Sequence, residues 1–466
     1  MSSLFGRVKR KLRRMMSDGS NNNKKAPALM PDAKKILLLT NRDSDNVGDQ
    51  VIEASDISLI KAAMKNLGQP ENSFDVVSRA ASIIPKKYVE TKDEKLETAR
   101  RIISQSDLVF FGGAPMFNYR YQIFYERTAK TIEIAQEYGK PVVFSAIGVE
   151  GYDEDNPKCQ RLKKTLNFDI VKRITTRDDF ESLQKYKENP KLFIDKVADP
   201  VVFSKWVFRN AIKPKKVGPK KVGLFIIRAN AFKDNGFNFP WQEAASMWKE
   251  LTLELENRGY DYEMITSGHF GDEAFVDRMI REYSAPADKC VFNINTPEEL
   301  YEHMSSYDAI VSCRLHPSII AFSMGIPSVG LVWNSKVTGF YDSIDGHDRT
   351  LEADQISAKA IMDKIEKVME EGVTQDREFM MSVYRNIYCG LRDSFKIDKK
   401  DEEMWSFDEL IKNLPAYKKT SKKETQKKLR RKFRRIYDNY NQQFTKIEKL
   451  KKEVRTLKAQ IKKEEA

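Results

Sequence analysis

The chain has 466 residues, 41% of them hydrophobic and 11% aromatic, which is material for two or three packed domains and excludes wholesale disorder. Its four cysteines (Cys159, Cys290, Cys313 and Cys389) are scattered without a CxxC, which argues against a disulfide framework or structural zinc and for a reducing cytoplasm. The net charge of +13 sits at the ends: residues 1–35 carry +8 and residues 416–466 carry +13, leaving 36–415 at −8, so the body does not read as nucleic-acid binding.

Residues 1–33 form a basic amphipathic segment and a linker. Charge interrupts Ser2–Met16 where a secretory signal needs an apolar run. As a helix, this stretch gathers Leu4, Phe5, Val8, Leu12 and Met15 on one side, away from most of its Lys and Arg. Two readings stay open: a helix lying on an anionic membrane surface, or a solvated basic arm. Ser17–Pro31, rich in Asn, Ser, Gly and Pro, reads as linker.

From residue 34 to 208, short apolar runs alternate with amphipathic stretches. The expected strands are Ile36–Thr40, Phe74–Ser78, Leu108–Gly112, Val142–Ile147, Arg173–Thr176 and Val197–Val201, with helices such as Val51–Leu67 and Lys95–Ser104 between them. This alternation implies an α/β domain with a largely parallel sheet. In such sheets ligands bind beyond the carboxyl ends of the strands. There the loop Asn41–Gln50 offers Asn46, Gly48 and Asp49 at the start of a helix, where free backbone N–H groups favour an anion. Taken alone, the same residues fit ordinary turn chemistry with Asp49 as the helix cap. Gly112-Gly113 marks a second close approach after a strand. Arg177-Asp178 heads a helix, with Asp178 as its expected cap.

Residues 209–220, basic with two prolines, read as an interdomain linker. A second alternating set fills 221–415, with expected strands Gly223–Ile227, Tyr262–Thr266, Cys290–Asn293, Ala309–Ser312 and Ser328–Val332. The expected helices are Trp241–Arg258, Asp272–Tyr283, Pro297–Ser305 and Pro317–Met324. Two Rossmann-like domains facing a cleft is the resulting architecture. Arg228 ends the first strand of the second domain, where a guanidinium suits an anion. Arg314 and His316 follow a buried strand, with Pro317 expected at the first helical position; they offer a fixed cation and a group that moves protons near neutral pH. His269, His303 and His347 lack such company. The uncharged stretch between Arg314 and Lys336 is broken by Gly325-Ile326-Pro327, so helix, turn and strand are expected rather than a membrane span. No HExxH, Walker or GxSxG motif occurs, and no metal is expected.

In the tail, 416–466, Phe433, Tyr440, Ile447, Val454 and Ile461 fall seven apart. Leu429, Ile436, Gln443, Leu450 and Leu457 fill the complementary positions. A basic coiled coil and self-association are expected. The alternative is a single amphipathic helix on its own body or on a membrane.

Several of these segments together resemble the polysaccharide pyruvyl transferases, across roughly Ile36 to Ile344. They are Asn46-x-Gly48-Asp49, Asp107–Gly113, Ser145-x-Ile147-Gly148, Arg177-Asp178 with Ser182, Ala198-Asp199-Pro200, Arg228, Arg314-Leu315-His316, Gly325-Ile326-Pro327 and Lys336. The resemblance implies a GT-B-like pair of domains. It implies transfer of pyruvate from phosphoenolpyruvate to two hydroxyls of a sugar, forming a ketal in a cell-surface polysaccharide or lipid-linked precursor, with no cofactor beyond the donor. His316 is then the proton donor, Arg314 and Arg228 hold phosphoenolpyruvate, and Asp49 is a candidate base. Leu315, Lys336, Asn46 and Gly48 complete the donor side, and Gly112, Gly113 and Asn118 form the acceptor side. Ala114-Pro115-Met116 departs from the Gly-rich continuation often seen there. The expected setting is cytoplasmic, peripheral on the inner membrane face, with a homo-oligomer formed through the tail. The competing readings are a nucleotide-sugar glycosyltransferase and an inactive scaffold of the same fold.

Overall fold

The computed structural model describes residues 28–92, 96–120 and 123–464. The basic segment Ser2–Met16 lies outside them, so its membrane-surface reading stays an expectation. Strands β1 (Lys34–Thr40), β2 (Phe74–Ala80), β3 (Leu108–Phe111), β4 (Val142–Ile147), β5 (Val171–Thr176) and β6 (Phe193–Lys196) form one parallel sheet in the order β2-β1-β3-β4-β5-β6. Strands β7 (Lys221–Phe225), β8 (Asp261–Ile265), β9 (Cys290–Val291), β10 (Ala309–Ser312), β11 (Ser328–Leu331) and β12 (Thr350–Leu351) form a second, in the order β12-β11-β10-β7-β8-β9. The central strands β3, β4, β10 and β11 are buried at every residue, as parallel strands covered by helices on both faces must be.

Each sheet has a switch point where the chain reverses its direction of travel: between β1 and β3, and between β7 and β10. Ligands of open parallel sheets bind at such points. Four helices matter most around them: α1 (Val47–Asn66) after β1, α2 (Leu315–Met324) after β10, α3 (Arg377–Phe395) and α4 (Lys422–Glu464). Helix α3 follows the second domain in sequence but packs on the first. Its Asn386 Nδ2 donates to Ser145 Oγ of β4 (3.2 Å), and its Tyr384 hydroxyl donates to Asn66 Oδ1 at the end of α1 (2.8 Å). One hydrophobic core therefore runs through both domains, from Ile36 and Val143 of the first sheet to Ile310 and Ile319 beside the second, with Tyr384 and Tyr388 of α3 within it.

Several local expectations are corrected. Val197–Val201 is not a strand: Asp199 caps a short 3-10 turn, Pro200–Phe203, and the edge strand is the more polar Phe193–Lys196 before it. Helix α1 starts four residues earlier than the apolar pattern suggests, because Asn46 rather than Asp49 is the cap and accepts from the Gly48 N–H (3.1 Å). Pro317 is the third helical residue of α2, with Arg314 at the cap position. Asp179, not Asp178, caps the helix Phe180–Tyr186, accepting from the Ser182 N–H.

Candidate active site

The residues singled out after β1, β3, β7 and β10 fall on the loops that flank the two switch points. The N-termini of α1 and α2 meet across the domains: a Cβ added at Gly48 would stand 2.6 Å from Cβ, Cγ and Nδ1 of His316. Only glycine permits this approach. The domains are bonded at the same place, where Val47 N–H donates to Ser267 O (2.8 Å) and Gln50 Nε2 to Asn295 O (3.3 Å). Two helix N-termini converging on one point give a positive field there before any side chain is counted.

Side chains add to that field. His316 is buried, and its Nε2 has no hydrogen-bond partner in the protein. Burial, and then Arg177, Lys336 and Arg314 nearby, hold its pKa well below the ordinary histidine value, so the free protein carries it neutral. Arg314 is fixed by a bidentate pair with the fully buried Asp272, Nε to Oδ2 at 2.9 Å and Nη2 to Oδ1 at 2.6 Å. The Arg228 N–H donates to the same carboxylate (2.9 Å), while its guanidinium, more exposed, pairs with Asp234. Leu315, half-buried, opens α2. Lys336 pairs with Glu150 across the cleft, and Glu150 also accepts from Asn118 Nδ2, so the expected donor and acceptor sides share one carboxylate.

On the first domain, Asp49 lies in the first turn of α1 and accepts from Asn41 Nδ2 (3.0 Å). Burial raises its pKa, against the lowering effects of Ser44, Arg177, Asn41 and Lys336. Arg177 is buried, with Nη1 donating to Gly113 O (2.6 Å) and pairing with Asp199 (2.5 Å). Gly112 lies against the carboxyl of Asp56, where a Cβ would collide. Asp56 is fully buried without a hydrogen-bond partner in the protein, and desolvation followed by the nearby Asp199 raises its pKa well above the usual range. A bulge in β4 at Ala146, whose φ of 51° is left-handed, turns the strand end so that Gly148 packs on Pro115 and Glu150 reaches the cleft.

Asp272, Glu150, Asp56 and the environment of Arg177 were not signalled as site features by the sequence, since an isolated acid in a loop reads as solvent-facing. The expectation that His269 stands apart is corrected. It caps the helix Phe270–Tyr283, 3.8 Å from Asp272, and burial followed by Arg314 and Arg228 lowers its pKa against the pull of Asp272. Among the described residues no cluster of three or more His, Cys, Asp or Glu is placed to hold a metal ion, and no helix is long and apolar enough to cross a membrane.

The polysaccharide pyruvyl transferase family model matches residues 46–335, more than half of the chain and the span that contains every residue just described except Asn41, Ser44 and Lys336. The chain belongs to the polysaccharide pyruvyl transferase family. Its members carry out pyruvyl transfer in polysaccharide biosynthesis, so the protein is a transferase. No curated protein matches the sequence. Among the solved structures that share the fold are two sugar-nucleotide epimerases. A UDP-GlcNAc 2-epimerase from Methanocaldococcus jannaschii has 13% identity and a TM-score of 0.51, over 76% of this chain and 99% of that one. A putative UDP-N-acetylglucosamine 2-epimerase from Listeria monocytogenes has 9% identity and a TM-score of 0.50, over 83% and 100%. At these identities the likeness establishes a GT-B-like pair of domains and no more.

Proposed function

We propose that this pyruvyl transferase takes its pyruvate from phosphoenolpyruvate and forms a ketal on two hydroxyls of a sugar. The observation that carries this reading is the neutral, buried His316, with its free Nε2 between two helix N-termini and beside Arg314, Lys336 and Arg177. Phosphoenolpyruvate brings a phosphate and a carboxylate into that field. Its negative charge offsets the three cations and raises the pKa of His316, so donor binding itself loads the proton that the reaction needs.

The proton then passes from His316 to the methylene carbon of the enol, which becomes a methyl group, and C2 becomes oxocarbenium-like. A sugar hydroxyl adds to C2 and gives its proton to Asp49, whose raised pKa suits a base. The second hydroxyl adds to C2 as the C2–O bond to phosphate breaks, its proton returning to His316; inorganic phosphate leaves with the pair of electrons and takes up the proton held by Asp49. Arg314 and Arg228 hold the departing anion. Gly112, Gly113 and Asn118 border the acceptor, and Glu150 positions Lys336.

Transfer run in deuterium oxide tests this sequence. It places one deuterium in the ketal methyl, and His316→Gln stops transfer while phosphoenolpyruvate still binds. A His316→Gln enzyme of wild-type turnover would refute the assignment. If a nucleotide sugar is bound and turned over instead, the glycosyltransferase reading takes its place.

For setting, we infer a lipid-linked acceptor at the cytoplasmic membrane face, supported by the basic ends of the chain. We infer self-association through the far part of α4. From Tyr437 to Ile461 every residue of this helix is exposed among the described residues, and Tyr440, Ile447, Leu450, Val454, Leu457 and Ile461 stand about half-exposed or more in a seven-residue repeat. Light scattering of the full chain and of a chain ending at 436 distinguishes a dimer from a monomer, and flotation with anionic vesicles tests the membrane contact.

A further inference from the structure

The near end of α4 does something the heptad pattern does not anticipate. Its inward face is basic rather than apolar, with Leu429 and Ile436 only half-buried. Arg431 pairs with Asp43, and Arg435 pairs with Asp45 (3.0 Å) and donates to the Asp43 carbonyl. Lys428 Nζ donates to Gln50 Oε1 (2.6 Å). Asp43 and Asp45 belong to the loop between β1 and α1, and Gln50 to the first turn of α1, on either side of Asn46, Gly48 and Asp49. One residue away, Lys432, with its side chain only 8% exposed, pairs with Glu273 (2.8 Å) and reaches Asn295 Oδ1 (3.4 Å), both on the second domain. Glu273 adjoins Asp272, the carboxylate that fixes Arg314. One helical turn therefore ties the α1 loop of the first domain to the helix that orients Arg314 in the second.

The tied surfaces are already in close contact. Gly268 of the second domain, with φ of 91°, packs against the Asp45 carbonyl (2.9 Å from an added Cβ), and Val47 N–H bonds to Ser267 O. Val47 and Ile294 are buried beneath this edge in the core that the domains share, and the hydrogen bonds and ion pairs above them are polar contacts that water competes for. The strap supplies the additional ones: the Lys432–Glu273 pair is largely out of water, at 8% and 14% side-chain exposure, while Arg435, 40% exposed, reaches the buried carboxylate of Asp45 (7%).

We propose that Lys432 and Arg435 are positioning residues of the donor site, and that α4 is a strap whose docking holds the α1 N-terminus against His316. The strap touches neither reacting group; it sets the fraction of molecules in which the anion site is assembled. Donor affinity scales with that fraction. The consequence for the donor rests on the pyruvyl-transfer reading; closure itself does not.

The test uses the full chain carrying Lys432→Met or Arg435→Ala, with Lys432→Arg as the conservative variant and Arg455→Ala on the exposed far helix as the control. Hydrogen exchange of the peptide containing Val47, measured without ligand, is expected to speed up about tenfold or more in the first two variants. It stays near wild type in the other two, while peptides from β3 keep their protection in all four. Phosphoenolpyruvate binding, followed by calorimetry, weakens by a similar factor, and the donor KM rises with kcat at saturation little changed. Wild-type exchange at Val47 in Lys432→Met and Arg435→Ala overturns the strap. Loss of β3 protection in step with Val47 also overturns it, since the residues would then serve the whole fold. If wild type binds no phosphoenolpyruvate, the donor reading fails, and the exchange result still decides the strap.

Discussion

Gly48→Ala isolates the contact between the two helix N-termini. Gly48 lies in the first turn of α1 outside the left-handed region, so alanine costs no backbone strain, and its helix propensity favours folding by up to about 1 kcal/mol. The opposing effect is steric. The new Cβ would stand 2.6 Å from His316 atoms, 0.8 Å short of the 3.4 Å at which ordinary contact begins. Because Cβ of His316 is among the atoms met, turning its ring does not relieve the overlap; α1 and α2 must move apart. Overpacking of this kind costs about 1–3 kcal/mol where the structure cannot yield. Here it yields at the domain boundary, so stability changes little while His316 moves by nearly 1 Å relative to α1. Misplacement of a reacting group by about 1 Å costs up to about 100-fold in rate. We expect Gly48→Ala to melt within a few degrees of wild type and to lose about 10- to 100-fold in kcat/KM for pyruvyl transfer, read by phosphate release or ketal formation. Wild-type kcat/KM in this variant would refute the claim that the α1–His316 contact builds the site.

Four further outcomes follow from the buried ionisable groups and the cleft pair. Donor binding should take up a proton at His316, so the heat of phosphoenolpyruvate binding varies with the ionisation enthalpy of the buffer in wild type and does so less in His316→Gln; equal variation in both would contradict it. Because His316 is held neutral in the fold, the unfolded chain gains a proton that the folded one does not as pH falls below about 6.5, so wild type loses stability there relative to His316→Gln; parallel pH–melting curves would contradict this. Asp56 titrates in the opposite sense: its pKa is raised on folding, so its contribution is present at acid pH and lost as pH rises through the raised value, and Asp56→Asn should gain stability relative to wild type in alkaline melts. Glu150→Gln leaves Lys336 without its partner across the cleft and should raise acceptor KM more than donor KM in steady-state assays, since Asn118 loses its charged acceptor as well.

Much of the fold was legible because buried parallel strands are continuous apolar runs. Val142–Ile147 and Ala309–Ser312 occur where the sequence puts them. The same rule misplaces the strand at Val197–Val201, whose apolar residues are buried by packing between the domains, while the true edge strand Phe193–Lys196 is largely exposed. The first-domain location of α3 was not legible, since nothing in its pattern says which sheet it covers. At the site, loops at strand ends gave Gly48, Arg228, Arg314 and His316. What the sequence hides is pairing over distance: Arg314 with Asp272 lies 42 residues away, and Lys336 with Glu150 lies 186 away. The basic tail was read from its apolar heptads, yet in the structure its first turns dock through charge. Lys428, Arg431, Lys432 and Arg435 lie on one helix face, a stripe visible in the sequence that acquires meaning only beside Asp43, Asp45 and Glu273.

The central claim is the identity of the donor, and calorimetric titration of the full chain with phosphoenolpyruvate, beside a panel of nucleotide sugars, tests it most directly. Saturable binding of phosphoenolpyruvate is expected, lost in Arg314→Ala and retained in His316→Gln. Binding of a nucleotide sugar with no response to phosphoenolpyruvate would contradict it.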